Sequence, residues 1–415
     1  MNFIRNRKFR AGPQTSLEGF ICPQNSDKKQ KIKVFGRSGG GVILTFLLSV
    51  LIPKKKTDVL GICGNSIKFT SLDLRLFILV YILCVVQALI YFLFFDMEFK
   101  YMSRGISTSL TLIIQIYLCY KMFRYFNSEA LSVYFDGLVL SYSVNIIYAL
   151  SVFGFGPVLN AFFSIFSGGI DSTGSETDAI LEQSHSILLI MPFISVIYLA
   201  YYISVKEKVY LKRMIIAMVI SLLAYKRIAI GAACVIFFFC YFRRYYTRKI
   251  VVANGVIIIC LLMLYVYAIK AGYLFAFTES HNINLQYRDV IWARIDDLYK
   301  FDVNFMGHGW DFMTKYLQDH NQVLFGNSLG GIHNDILKIY IDFGFWLTII
   351  YFSIFLIYIP IKLKNKNVSF IFWLGQIYLV IIYLTDNAMI YGACQTIAYL
   401  SPFCVNLYNT NLKVK

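Results

Sequence analysis

The stretch GNSLGGIHNDILKIYIDFGFW (326–346) sets a His-Asn pair behind a glycine-rich turn and ahead of an apolar run. An imidazole titrates near neutrality, so His333 facing water can take a proton from a hydroxyl; a core histidine would serve packing alone. His333 or Asn334 is also placed to cap the helix that Ile336, Leu337, Ile339 and Tyr340 begin before Gly344. Upstream, LQYRDVIWARIDDLYKF puts Arg288 ahead of an apolar-periodic stretch, with Trp292 four residues on and Arg294 six residues on, on another face. FMGHGWDF holds His308 between two glycines, a tight turn where backbone can approach a ligand. SLLAYKRIAIGAA joins two apolar runs through Lys226 and Arg227. Guanidinium groups match phosphate oxygens, bidentately in the best case. Simple snorkelling of the two cations to lipid headgroups is the other reading of that pair.

The elements that must position these residues are membrane helices. Of 415 residues, 58% are hydrophobic and 15% charged, against about 25% charged in soluble domains. Runs such as 76–95, 250–269 and 345–361 approach the ~20 apolar residues that cross a bilayer as a helix, and they lack the alternation of barrel strands. Spans are expected at 73–95, 105–120, 132–153, 186–204, 210–225, 228–242, 250–269, 345–362, 368–385 and 389–407. The short apolar run 41–52 is read as an interfacial or re-entrant helix. The fold class is thus all-α, a polytopic bundle of about 10–11 spans. A large, partly helical outer loop lies between the eighth and ninth spans when 41–52 is counted.

Charge sets the orientation. The connections SVKEKVYLKR, RRYYTRK and KLKNKNV are short and basic, hence cytoplasmic, while 154–185 carries Asp171, Glu176, Asp178 and Glu182 without Lys or Arg. Outer loops are therefore expected at 154–185 and 270–344, with both termini cytoplasmic. Residues 1–39 are basic and lack an early apolar core, so they read as a flexible cytoplasmic leader rather than a signal peptide; 40–415 reads as one integral-membrane domain. The net charge of +16 then has a topological cause and calls for no nucleic-acid partner. The nine cysteines avoid both outer loops and imply no disulfide framework. All five histidines lie outside or at the outer edge on this map. No tight zinc motif or carboxylate cluster joins them, so neither metal nor other cofactor is expected. Arginines that hold an anion, beside a histidine that serves a sugar hydroxyl, suit a lipid-linked pyrophosphate whose head sits at the interface.

In chain order, an arginine at the outer end of a span (Arg227), R-x3-W (Arg288, Trp292), G-H-G (Gly307–Gly309) and H-N-x9-G (His333, Asn334, Gly344) resemble the O-antigen polymerase and O-antigen ligase superfamily of bacterial polysaccharide assembly. The resemblance implies a metal-independent, inverting glycosyltransferase of the bacterial cytoplasmic membrane. Its donor would be an undecaprenyl-pyrophosphate-linked oligosaccharide at the periplasmic face. Arg227 and Arg288 would hold the pyrophosphate, and His333 would orient or deprotonate the acceptor hydroxyl. Lys226, Asn334, His308, Trp292 and Arg294 would line the substrate. A chain-length regulator and a flippase of the same pathway would be partners, beside membrane lipids. Polymerase is preferred over ligase because a chain rich in Ile, Phe, Tyr, Lys and Asn fits an AT-rich, strain-variable sugar cluster. A flippase or transporter is the alternative class, disfavoured by sparse charge at mid-membrane and no visible internal repeat.

Overall fold

The structure is a computed structural model and describes residues 68–167, 185–224, 226–281, 288–320 and 332–408. The leader, the run 41–52, most of the first outer loop and the turn GNSLGG lie outside the described residues.

Every regular element among them is helical: α1 (Ser71–Phe94), α2 (Phe99–Phe126), α3 (Ala130–Phe153), α4 (Phe155–Ser167), α5 (His185–Val205), α6 (Lys208–Ala224), α7 (Arg227–Tyr241) and α8 (Arg248–Lys270). Three short helices follow, α9 (Tyr273–Ser280), α10 (Arg288–Arg294) and α11 (Phe312–Asp319). Helix α12 (Asp335–Ser353) passes through a π turn, Ile354–Tyr358, into α13 (Ile359–Lys362). Helices α14 (Lys366–Tyr383) and α15 (Gly392–Cys404) close the described chain. Among the described residues, six stretches are long and apolar enough to cross a bilayer, one of them 99–153, which contains both α2 and α3.

Helix α14 is apolar all round because it is surrounded by protein, with nearly every residue buried. By contrast, α8 leaves Leu261 and Leu264 exposed, and α3 leaves Leu140 and Ile147 exposed, as lipid-facing rims should. Lipid tails are as apolar as leucine, so association of such helices draws on close approach and interhelical hydrogen bonds. Gly375 of α14 lies against Ala398 of α15. Tyr378 donates to the Leu189 carbonyl at 2.6 Å, and the Tyr81 and Tyr399 hydroxyls pair at 3.1 Å.

Two ends of the bundle follow. Phe69 stacks on Phe403, the Tyr246 hydroxyl meets Ser369, and this end carries Lys206, Lys208, Arg213, Arg243, Arg244, Arg248, Lys362 and Lys366. The opposite end collects the start of α7, the end of α8, the short helices α9 to α11, the start of α12 and the end of α14. Every residue singled out above for chemistry and described in the structure falls there.

The helix start expected ahead of Gly344 is found at Asp335, and Gly344 itself (φ 73, ψ −170) breaks this stretch from the span expected from 345. Residues 335–343 carry Asp335, Lys338 and Asp342 while 345–353 carry no charge, and the backbone at Gly344 makes the first stretch a separate half-helix.

Candidate functional site

The half-helix 335–343 begins as its sequence dictates. Asn334 Oδ1 accepts from the Leu337 amide at 2.9 Å, which satisfies one of the donors a helix start leaves over. Asn334 is buried, and its Nδ2 donates to the Tyr265 hydroxyl at 2.9 Å. That hydroxyl in turn donates to the Leu384 carbonyl at 2.9 Å. Next along, the Asp335 amide reaches the Asp386 carbonyl at 3.3 Å, and Asp335 Oδ2 accepts from the Met389 amide at 2.7 Å. His333 precedes this cap in the left-handed region, at φ 47. Histidine visits that region less readily than glycine, and such outliers gather at functional sites.

Helix α10 is fastened to the same point. Trp292 is buried and its Nε1 donates to the Ile332 carbonyl at 3.0 Å, one residue before His333. Four residues earlier, on the same helix face, stands Arg288. Its Nε is buried with no hydrogen-bond partner. Burial pushes this guanidinium down from its ordinary value, while Asp386 and Tyr265 pull it back up. Arg288 and Asn334 thus share Tyr265 as a neighbour, and Asp386 carries the opposite charge beside them. Trp292 thus ties the R-x3-W segment to the residue that precedes H-N.

Lys226 and Arg227 open α7, Lys226 half-buried and Arg227 exposed. Phe239 of α7 packs edge-on against Trp373 of α14. Arg227 lies twelve residues before the one and Asp386 thirteen after the other, so both stand at a similar level of the bundle. Arg294 ends α10 on an exposed face.

The remaining histidines do other work. The His308 ring bonds the Leu298 carbonyl at 2.6 Å and stacks on Phe312. Its main-chain amide, with that of Gly309, covers carbonyls of Ile341 and Asp342 that the break at Gly344 sets free. His281 bonds Phe277 and Ser280, and His320 bonds Tyr316, each within its own turn. The side chain of His185 lies outside the described residues.

A second polar cluster escaped the sequence reading. Lys338 and Asp342 follow Asn334 at four-residue steps and so share its helix face. All three are buried. Lys338 Nζ meets Asp311 Oδ1 at 2.6 Å, and Arg104 Nε of α2 meets Asp311 Oδ2 at 3.0 Å. Thr108 and Thr314 add hydroxyl donors to the same carboxylate, at 2.6 and 2.5 Å. Asp342 accepts the amides of Asp311 (3.1 Å) and Met313 (2.8 Å). Burial alone would raise the Asp311 carboxyl, but Lys338 and Arg104 hold it below the usual carboxylate range. The signal in the sequence was a lysine and an aspartate inside an apolar helix, where charge is costly and needs a partner. Among the described residues, no group of three or more His, Cys, Asp or Glu is placed to hold a metal ion.

The Trp292 bond brings α10, which carries Arg288, to the residue that precedes His333. Residues 213–352 match the protein-family model described as O-antigen ligase. That stretch takes in Arg227, Arg288, Trp292, the G-H-G turn, His333, Asn334 and Gly344, so the match supports the O-antigen ligase and polymerase superfamily. No curated protein and no solved structure gives a significant match to the chain.

Proposed function

We propose that the protein is a membrane glycosyltransferase of surface-polysaccharide assembly that polymerises oligosaccharide repeat units carried on undecaprenyl pyrophosphate. The observation that carries this reading is the hydrogen bond of Trp292, on the helix that bears Arg288, to the Ile332 carbonyl just ahead of the His333–Asn334 helix start. An arginine with a buried, unpartnered Nε is ready to donate to an incoming phosphate oxygen.

In this mechanism Arg288 and Arg227 hold the donor pyrophosphate and stabilise the charge that grows as it leaves. His333 orients the acceptor hydroxyl and takes its proton. The hydroxyl oxygen attacks the anomeric carbon from the side opposite the leaving group, the carbon–oxygen bond to phosphate breaks, and configuration inverts. Undecaprenyl pyrophosphate departs with the electron pair. The basic end of the bundle faces the cytoplasm by the charge rule, which puts this chemistry at the periplasmic face. A chain-length regulator and a flippase would act beside it.

Transfer of finished glycan to lipid A core is the second reading, favoured by the description of the matching family model. Glycan analysis of a strain lacking the protein separates the two. Single repeat units still attached to core, without longer chains, indicate polymerase. No attached glycan, with lipid-linked polymer accumulating, indicates ligase. An unaltered glycan profile contradicts both.

A further inference from the structure

The half-helix 335–343 does not inherit its direction from the membrane, because Gly344 breaks it from the spanning half. Its setting must come from side contacts, and these are the polar ones at Lys338 and Asp342. Through Asp311 they reach Arg104 and Thr108 on α2. The Trp310 amide extends the same loop to Gln87 of α1, at 2.8 Å. Asp311 itself is held in the left-handed region, at φ 61. A free aspartate visits that conformation only at some cost, so the surrounding bonds over-determine it.

We propose that the Lys338–Asp311–Arg104 cluster is a positioning device for glycosyl transfer: it fixes the rotation of 335–343, and thereby where His333 and Asn334 stand relative to Arg288. This rests on the function proposed above for His333 and Arg288. A buried ion pair adds little stability over apolar packing of equal volume, because desolvation offsets attraction. What the cluster supplies is a single geometry, since only one helix rotation satisfies the Asp311 carboxylate from both α2 and α12. Asn334 lies four residues, about 6 Å along the axis, from Lys338 on the same face, so a twist at the cluster reaches the cap almost undiminished. Arg288 sits on α10, which meets this segment at the Ile332 carbonyl, ahead of the cap, so a rotation of 335–343 displaces His333 and Asn334 more than the guanidinium.

The test uses full-length protein in lipid nanodiscs. Undecaprenyl pyrophosphate is the binding probe, and lipid-linked glycan extracted from a strain lacking the protein is the substrate. In the double variant Lys338→Met with Asp311→Leu, both charges are replaced by apolar groups. We expect a folded protein whose melting temperature is lowered by the leucine at positive φ and by the Arg104 guanidinium left without its carboxylate, a probe Kd within about threefold, and turnover lower by about 100-fold, the scale of an ångström-level misplacement. Parental turnover in the folded double variant overturns the proposal, as does loss of probe binding in step with turnover. Lys338→Arg keeps the charge but changes its reach and serves if the double variant fails to fold. Unchanged probe binding with turnover down about tenfold is expected of it, and parental turnover there also overturns the proposal. His333→Ala is run in parallel. If that variant turns over like the parent, the reading of the site has failed, independently of the cluster.

Discussion

Gly307 and Gly344 meet backbone against backbone: a Cβ on Gly307 would run into the Gly344 amide, and one on Gly344 would run into Phe305, Met306 and Gly307. Both have positive φ, 83 and 73. The Phe345 amide donates to the Phe305 carbonyl at 2.8 Å across this contact. Two glycines from separate motifs thus make one joint, where the G-H-G turn wedges into the broken helix.

Gly344→Ala should therefore be strongly destabilising. The left-handed region alone costs about 1–3 kcal/mol for a non-glycine residue, and the steric conflict adds to it. Gly156→Ala is the control, since nothing lies within 4 Å of a Cβ there and its φ is ordinary. Thermal unfolding in detergent should show a large drop for the first and almost none for the second.

Much of this region was legible in the sequence, and the reasons are local. Asn334 ahead of an apolar run reads as a cap because capping depends on the next three residues. Arg288 and Trp292 read as one helix face from their spacing. The Asp311 cluster did not, because Arg104 and Asp311 lie far apart in the chain and nothing local in either announces the other. The position of His308 between glycines pointed equally to a ligand and to a helix end. Its main-chain bonds to Ile341 and Asp342 became visible only once the break at Gly344 was known.

Trp292→Phe keeps the ring packing but removes the indole donor, leaving the buried Ile332 carbonyl without its partner. Such a loss costs about 1–3 kcal/mol. Because the bond ties α10 to the residue before His333, turnover of lipid-linked glycan should fall more than tenfold in protein that is still folded. Turnover near the parental value would show that α10 is held in place by other means.

Arg288→Lys retains a positive charge but loses the forked donor geometry suited to phosphate. Affinity for undecaprenyl pyrophosphate should drop by about 10-fold or more, for the loss of one charge-assisted hydrogen bond. Isothermal titration in nanodiscs measures it, and equal affinity would remove Arg288 from the pyrophosphate site.

The Asp311 carboxyl is held below its ordinary range by Lys338 and Arg104, against the effect of burial. A depressed folded-state value contributes stability that is complete above the unfolded value, about 4, and is lost as pH falls through the lower folded value. The melting-temperature gap between parent and Asp311→Asn should hold steady from pH 8 to 5 and narrow only in stronger acid. A gap that widens on acidification contradicts the sign of the shift.

The most direct measurement is the surface-glycan ladder of a strain whose only copy carries His333→Ala, with the protein's membrane level measured alongside. The predicted result is protein at the parental level and a ladder collapsed to single repeat units on core. A full-length ladder at that same level would mean that His333 only shapes the start of the helix, and the proposed chemistry would be wrong.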